Sequence, residues 1–421
     1  MSTKTLPLGH GELLELAHVH PTPFYLYDEA AIIDNARAFK QLFSWAPGFT
    51  NYFAVKACPN PTIIKLLGEE GFGTDCSSLP ELMISKACGI TGERIMLSSN
   101  DTPADEFRAA YELGAIINLD DITHIQALEE AIGTFPETIS FRYNPGPQRT
   151  GNAIIGNPVE AKYGVTSDQI IDCYRIAKDK GVTRFGLHTM VASNELDGSY
   201  IVETARMLFD LCLRIKEEAG VEIDFIDMGG GIGIPYKPED EPMDLKAVSD
   251  QMRVLYDEKI RPSGLDPLEI YFECGRVITG PYGWLISEVL HVTSKYKEYV
   301  GLDASMANLM RPALYGSYHH ITVLGKDKHE LDHTYDVTGS LCENNDKFAI
   351  DRQLPKVEKG DVVAIHDAGA HGHAMGFNYN AKLRSAEYLL RRDGSVTMIR
   401  RAQTYDDYVA TLRFDGAEVI L

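Results

Sequence analysis

From residue 52 onward the apolar positions fall into short β-rich runs separated by longer amphipathic stretches. The runs lie at 52–55, 71–75, 94–98, 116–119, 139–143, 185–188, 225–228 and 270–273. Between them, apolar residues recur at three- and four-residue intervals, which predicts helices packed on one face. Thr102-Pro103-Ala104-Asp105 sets a cap, a first-turn proline and an acid in order, and Gly114 follows the last periodic residue, Leu113. Ser78 and Glu81 have capping-box spacing, and the stretches 168–180 and 199–219 end before Gly181 and Gly220. Eight strand signals alternating with helices over about 250 residues match an α/β fold of the (β/α)8 TIM-barrel type. A doubly wound open sheet also alternates strand and helix, but it carries a glycine fingerprint after its first strand. Lys56-Ala57-Cys58-Pro59-Asn60 is not one.

Outside residues 28–275 the pattern changes. Residues 1–27 read as a polar lead-in that closes on the alternating aromatics of Phe24-Tyr25-Leu26-Tyr27, a short strand. After Arg276, runs at 285–292, 320–324, 361–365 and 396–399 are separated by glycine or charged turns with little helix. These predict a C-terminal antiparallel β domain, sandwich- or barrel-like, built from 1–27 and 276–421. No internal repeat or low-complexity segment interrupts the chain.

Composition narrows the functional classes. With 421 residues, 44% hydrophobic and 24% charged, the chain is that of a globular protein of two domains. A net charge of −21 disfavours nucleic acid and anionic membrane surfaces as partners, so an anionic small ligand needs a local cationic pocket. Seven scattered cysteines without C-x-x-C spacing suit a reducing cytoplasm better than a disulfide framework. Neither a signal peptide nor a run of 18 apolar residues is expected, and so no membrane span.

The chemistry gathers at the strand ends. If the first barrel strand runs through Asn51-Tyr52-Phe53-Ala54-Val55-Lys56, then Tyr52, Ala54 and Lys56 share a face and the amine is buried. Desolvation lowers a lysine's pKa and readies it for Schiff-base chemistry, although a strand-end lysine taken alone commonly snorkels to water. The other residues at the same rim are Asp75, Ser98 with Asn100, Arg142 with Asn144, His188 with Ser193, Gly229 to Gly231, and Glu273 with Arg276. Asp227-Met228-Gly229-Gly230-Gly231-Ile232-Gly233 follows a strand and leaves bare successive N–H groups, a nest that fits a phosphate as well as an ordinary tight turn. With no Walker lysine, the phosphate is that of a cofactor. Glu273 ends the last strand three residues before Arg276; an acid on a pyridine nitrogen keeps the ring an electron sink, though the pair alone reads equally as an ion pair across a turn. The parts together point to pyridoxal 5'-phosphate on Lys56.

The chain then resembles the alanine-racemase-like (fold-type III) class of pyridoxal phosphate enzymes, and within it the diaminopimelate decarboxylases. The stretches that carry the likeness are Tyr52-Phe53-Ala54-Val55-Lys56-Ala57, Gly229-Gly230-Gly231, Glu273-Cys274-Gly275-Arg276, Arg311-Pro312-Ala313-Leu314-Tyr315-Gly316, Cys342-Glu343 and Asp367-Ala368-Gly369-Ala370. The resemblance implies that Lys56 carries the cofactor, that Gly229, Gly230 and Gly231 bind its phosphate, and that Glu273 meets the ring nitrogen. It places Asp75, Arg142, His188, Met190, Ser193, Gly275, Arg276 and His371 around the cofactor. It further implies that Arg276, Arg311, Tyr315 and His371 meet the substrate, and that Cys342, the proton donor, and Glu343 arrive from the partner subunit of a homodimer. The implied reaction is decarboxylation of meso-2,6-diaminopimelate to L-lysine and CO2, the last step of lysine biosynthesis.

Two positions depart from the family. The sixth-strand motif reads His188-Thr189-Met190-Val191-Ala192-Ser193, with Met190 where relatives lay an imidazole on the ring. His371 stands where relatives have tyrosine. Competing readings are a decarboxylase of ornithine, lysine, arginine, carboxynorspermidine or a siderophore precursor, and a non-catalytic pyridoxal phosphate-binding protein. A distal arginine disfavours substrates that lack a distal carboxylate. The spacing of His366, His371 and His373 matches no standard ligand pattern, so no metal is expected. His319 and His320, read within a strand, point to opposite faces.

Overall fold

The computed structural model describes residues 4–151, 155–326 and 330–413. They form two compact units: 31–235 with 239–281, and 4–30, 236–238 with 282–413. The first strand, β1 (Phe24–Asp28), belongs to the second unit.

The first unit is a closed ring of eight parallel strands, β2 (Thr50–Ala54), β3 (Gly73–Cys76), β4 (Ile95–Leu97), β5 (Ile116–Leu119), β6 (Thr138–Tyr143), β7 (Arg184–Thr189), β8 (Phe225–Asp227) and β9 (Glu269–Phe272). Each of the eight apolar runs becomes one strand of the ring. It closes where β9 pairs with β2, Thr50 opposite Tyr271 and Asn51 opposite Phe272. Asn51 seals the seam: its amide donates to Cys274 O at 3.0 Å and accepts from Cys274 N at 2.9 Å, fixing the chain just beyond Glu273. The interior is filled rather than hollow, with Tyr52, Met96, Ile116, Phe225 and Tyr271 in one cluster. Gly186 on β7 leaves space for the Phe225 ring, since a Cβ there would lie 2.1 Å from it.

The helices follow the cap signals with small shifts. Asn60, Asp197 and Asp244 cap their helices by accepting from Thr62, Ser199 and Ala247 N–H. The helix expected to start at Thr102 runs Ala104–Leu113, with Pro103 in the cap position and Gly114 in the left-handed conformation at its end. Ser78 makes no side-chain cap bond; Glu81 instead accepts from Ser77 N at 2.7 Å, one residue away from the capping-box pairing.

The second unit adds β10 (Gly283–Ser294), β11 (Glu298–Leu302), β12 (Ile321–Val323), β13 (His333–Thr338), β14 (Lys347–Leu354), β15 (Val362–Ile365), β16 (Ala386–Leu390) and β17 (Val396–Arg400). The order is β14-β13-β11-β10-β1-β16-β17, with β15 pairing β10 and β12. Most pairings are antiparallel, as expected, but β1–β16 and β11–β13 are parallel. The aromatic alternation of β1 has a clear reason. Phe24 and Leu26 join the apolar core with Trp284, Ile286 and Tyr388, while Tyr25 and Tyr27 turn the other way to Asn308 O and the Glu387 carboxylate.

The lead-in is not wholly irregular: His10–Val19 is a helix, of which Leu13 is buried. Strands β11, β13, β14 and β16 also went unpredicted. In β13 and β14 charged residues interrupt the apolar pattern: the buried Asp336 is held by the partly exposed Lys297 and Lys347 at 2.6 and 3.0 Å, a composition that reads as loop. His319 and His320 precede β12 rather than lying within it.

Among the described residues, no helix is long and apolar enough to cross a membrane. Phe141 on β6 is fully buried, edge-on to Tyr174 at 5.1 Å, and Tyr174 donates to Gly186 O. Phe141→Ala is expected to cost about 3–5 kcal/mol by cavity formation, measured as a lowered denaturant midpoint at unchanged slope.

Candidate active site

The C-terminal rim of the barrel brings together most of the polar residues read from the strand ends. Lys56 is placed differently from expectation. Strand pairing stops at Ala54 and Val55–Ala57 form one tight turn, so Lys56 does not share a strand face with Tyr52 and Ala54. Its stem is half-exposed, while its amine lies 2.8 Å from the fully buried Asp75 carboxylate. Burial pulls its pKa down, but Asp75 and Glu273 outweigh that, and the amine is held above the ordinary lysine value rather than below it. Asp75 is fixed on its other oxygen by the Ser98 hydroxyl.

Glu273 is the charged centre of this rim. It is 5% exposed, and its Oε2 lies 3.4 Å from His188 Nε2. Burial works to raise its pKa, yet His188, Lys56 and Arg142 together hold it below the usual carboxylate range. Asp227 takes the opposite course: burial and the neighbouring Glu273 charge push it well up. His188, Asp227 and Glu273 each offer an atom within 4.8 Å of the others, so two acids share the space of one full charge. Glu273 Oε1 is buried with no hydrogen-bond partner among the described residues. Arg142 is locked by Ser98 O and Asn100 at 3.0 Å each, and lies 3.2 Å from Asp120.

The glycine triplet closes the rim. Gly229 and Gly231 have φ of +68° and +95°, and a Cβ on either would lie 2.3 Å from Thr189 O or Ala192 O respectively. Only glycine permits the loop after β8 to approach the loop after β7 this closely. The two loops are joined further by Glu195 N to Gly231 O and Gly233 N to Glu195 O, both at 2.8 Å, with Ser193 half-buried just ahead of that junction. Gly229 N donates to Asp227, and Gly230 N points at Met190 Sδ, 3.4 Å away. Gly275 serves Lys56: a Cβ there would lie 2.6 Å from that of Ala57, in the lysine's own turn. Arg276 begins the short helix that follows.

These features fit pyridoxal phosphate. A buried acceptor without a partner awaits a ring N–H, an amine stands at the rim, and a glycine cradle admits no side chain. The chain matches the family described as pyridoxal-dependent decarboxylase, pyridoxal binding domain, over residues 29–280. The chain belongs to the pyridoxal-dependent decarboxylases. Among its relatives are Protein TabA of Pseudomonas amygdali pv. tabaci, 42% identical over 96% of this chain and 94% of the relative, and the diaminopimelate decarboxylase of Methanothermobacter thermautotrophicus, 37% identical with the same coverage. The crystal structure of M. jannaschii diaminopimelate decarboxylase in complex with L-lysine superposes with a TM-score of 0.88 at 30% identity, covering 96% of this chain and 94% of that one.

The remaining predicted residues lie in the second unit. Arg311 is 1% exposed, held by Tyr236, His319 and Ser317, whereas Tyr315 at the other end of its helix is exposed. Cys342 and Glu343 are exposed; Asn380 accepts from Cys342 N at 2.7 Å. All seven cysteines are free. His371 is half-buried with φ +55°, a left-handed backbone unusual outside glycine. Sequence reasoning singled out Arg311 but not its supports: Tyr236 carried no signal, and His319 was noticed only as one of a histidine pair.

The neighbouring histidines are committed to hydrogen bonds. His366 accepts from Trp284 Nε1 at 3.2 Å and meets Thr322 at 2.8 Å, and His373 bonds Ser385 O at 3.1 Å. Burial, helped by nearby cations, lowers His366 to about 3 and His373 to about 4. Between pH 6.5 and 4 the unfolded chain therefore takes up protons that the native state refuses. Their contribution to stability is complete above pH 6.5 and is lost as pH falls toward 4. A fall on the order of 2 kcal/mol or more across that window is expected from denaturant titrations, and His366→Phe should flatten it.

Proposed function

We propose that this chain is a pyridoxal phosphate-dependent decarboxylase that converts meso-2,6-diaminopimelate to L-lysine and CO2, acting as a cytoplasmic homodimer with shared active sites. One observation carries the reading: at the mouth of one closed barrel, a lysine amine on Asp75 faces the same buried rim as a Glu273 oxygen left open for a ring N–H. The bound cofactor supplies an electron sink for the bond to the departing carboxylate.

The chain's own residues do the rest. Lys56 Nζ carries the cofactor, and Asp75 Oδ2 is the group beside it able to take the amine's proton. Glu273 keeps its charge in a buried setting and so holds a proton on the ring nitrogen, with His188 supporting that charge from Nε2. Gly229, Gly230 and Gly231 supply the phosphate cradle. Gly230 N–H rests on a thioether, a weak acceptor that a phosphate oxygen outcompetes. Arg142, already fixed on three sides, adds cationic field, and Ser193, Met190, Gly275 and His371 border the cofactor. Arg276, Arg311 and Tyr315 recognise the distal end of the substrate, where a planar guanidinium suits a carboxylate. Cys342 and Glu343, exposed on their own protomer, serve the partner's site. There Cys342 returns a proton to the carbon that has lost its carboxylate, and Glu343 holds the distal amine.

Met190, His371 and the 42% match to Protein TabA, whose name states no reaction, favour a second reading: the same chemistry on a different amino diacid. Released CO2 measured across a substrate panel separates the two, with Lys56→Ala as the blank. The first reading expects diaminopimelate to lead ornithine, lysine and arginine by two orders of magnitude or more in kcat/KM, about the discrimination a buried, specific polar site provides. Arg311→Ala should lower diaminopimelate kcat/KM by about a hundredfold while the cofactor's visible absorption stays unchanged. Equal loss of cofactor and turnover would count against the assignment. For shared sites, mixing inactive Lys56→Ala and Cys342→Ala proteins should restore roughly a quarter of the wild-type activity, as random re-pairing in a two-fold dimer requires. No recovery after subunit exchange, shown by mass or fluorescence, would sink the shared site.

A further inference from the structure

Arg311 begins a short helix, Arg311–Tyr315, and its side chain is among the largest withdrawn from water in the chain. A guanidinium this deep needs fixed acceptors, because an unsatisfied buried charge costs several kcal/mol. Three neutral groups accept from it within the second unit, and the buried Asp367 carboxylate lies within electrostatic reach. Its Nη1 donates to Tyr236 Oη at 2.6 Å and to His319 Nε2 at 3.1 Å, and Nη2 donates to Ser317 Oγ at 3.3 Å. The Tyr236 ring also lies against the guanidinium, 4.6 Å from centroid to carbon.

His319 differs from the other two because both its nitrogens are constrained. Nδ1 lies 2.8 Å from the carbonyl oxygen of His366. A carbonyl can only accept, so Nδ1 carries the proton; a guanidinium can only donate, so Nε2 presents its lone pair. The two contacts select one neutral tautomer. The anchoring carbonyl is itself fixed, since His366 N donates to His320 O at 2.9 Å and its ring is held by Trp284 and Thr322. The ring edge of Tyr236 closes on His319, with centroids 5.1 Å apart.

We propose that His319 is a positioning residue that fixes the Arg311 fork for the substrate's distal carboxylate, an inference that rests on the assignment of Arg311 to that carboxylate. The imidazole links a backbone carbonyl at the end of a core strand to the guanidinium, so the fork is oriented before the substrate arrives. Recognition then does not have to include the loss of freedom of a long side chain. Specificity for a dicarboxylic substrate thereby depends on a residue that never touches it.

Two isosteres separate the two nitrogens. His319→Gln keeps an acceptor near the Nε2 position, whereas His319→Asn keeps a donor near Nδ1 and offers Arg311 nothing. With the purified holoenzyme, His319→Asn is expected to raise KM for meso-diaminopimelate about tenfold or more, the loss of a hydrogen bond to a charged group. Its kcat, the cofactor's visible absorption and inhibition by 1,5-diaminopentane, which lacks the distal carboxylate, should stay within about threefold of wild type. His319→Gln should recover most of the KM. An unchanged KM in His319→Asn, or equal damage in both variants that extends to inhibition by 1,5-diaminopentane, would overturn the inference. Arg311→Ala run in parallel distinguishes the failures. If Arg311→Ala raises KM and His319→Asn does not, only the positioning role falls; if Arg311→Ala leaves KM unmoved, or wild type turns over no diaminopimelate, the functional reading falls with it.

Discussion

A carboxylate removed from water keeps its charge only where cations face it, and the barrel rim is organised around meeting that condition for Glu273. Three strands and one turn contribute. His188 comes from β7, Arg142 from β6 and Lys56 from the turn after β2, while Glu273 follows β9. A closed ring makes this convergence possible, because the ends of distant segments become neighbours around a mouth only a few side chains wide. Burial works against both acids: at Glu273 the facing cations overcome it, whereas at Asp227 burial and the Glu273 charge drive the acid toward its neutral form. One charge, not two, is left to hold a ring nitrogen protonated, and that asymmetry between two buried acids is what an electron-sink cofactor needs from its protein.

The position of Lys56 follows from the same field. Burial on a strand face would have lowered its pKa, but the chain leaves β2 after Ala54 and the turn brings the amine onto Asp75 instead. Glu273 adds to the pull. Beside Asp75 the amine is therefore held as a counter-ion. That arrangement keeps the acids of the rim neutralised and the pocket ordered. Were Lys56 to carry the cofactor, as proposed, Asp75 would be the carboxylate beside it able to accept the amine's proton.

The barrel was legible in the sequence because its parts are local. Each parallel strand is buried on both sides and so reads as a short apolar run, and glycines or capping acids mark the helix ends. Rim residues could be named for the same reason: they sit at the ends of those runs. The second unit was less legible. In β13 and β14 charged residues interrupt the apolar pattern, and the buried Asp336 with its partly exposed partners Lys297 and Lys347 has the composition of a loop. β1, separated by more than 250 residues from its partners β10 and β16, was recognisable only through its alternating aromatics. Nothing local could have revealed that Tyr236, 75 residues away, holds Arg311, and His319, though only eight residues on, reaches it through the turn that follows its helix.

Met190 shows how a substitution can preserve a site while altering its character. An imidazole at this position would bring a second titratable ring near Glu273, beside His188. A thioether brings a polarisable, uncharged surface that lies on Gly230 N–H in this structure. The anion of the rim is then balanced by His188, Arg142 and Lys56 without a further contribution from the sixth-strand loop.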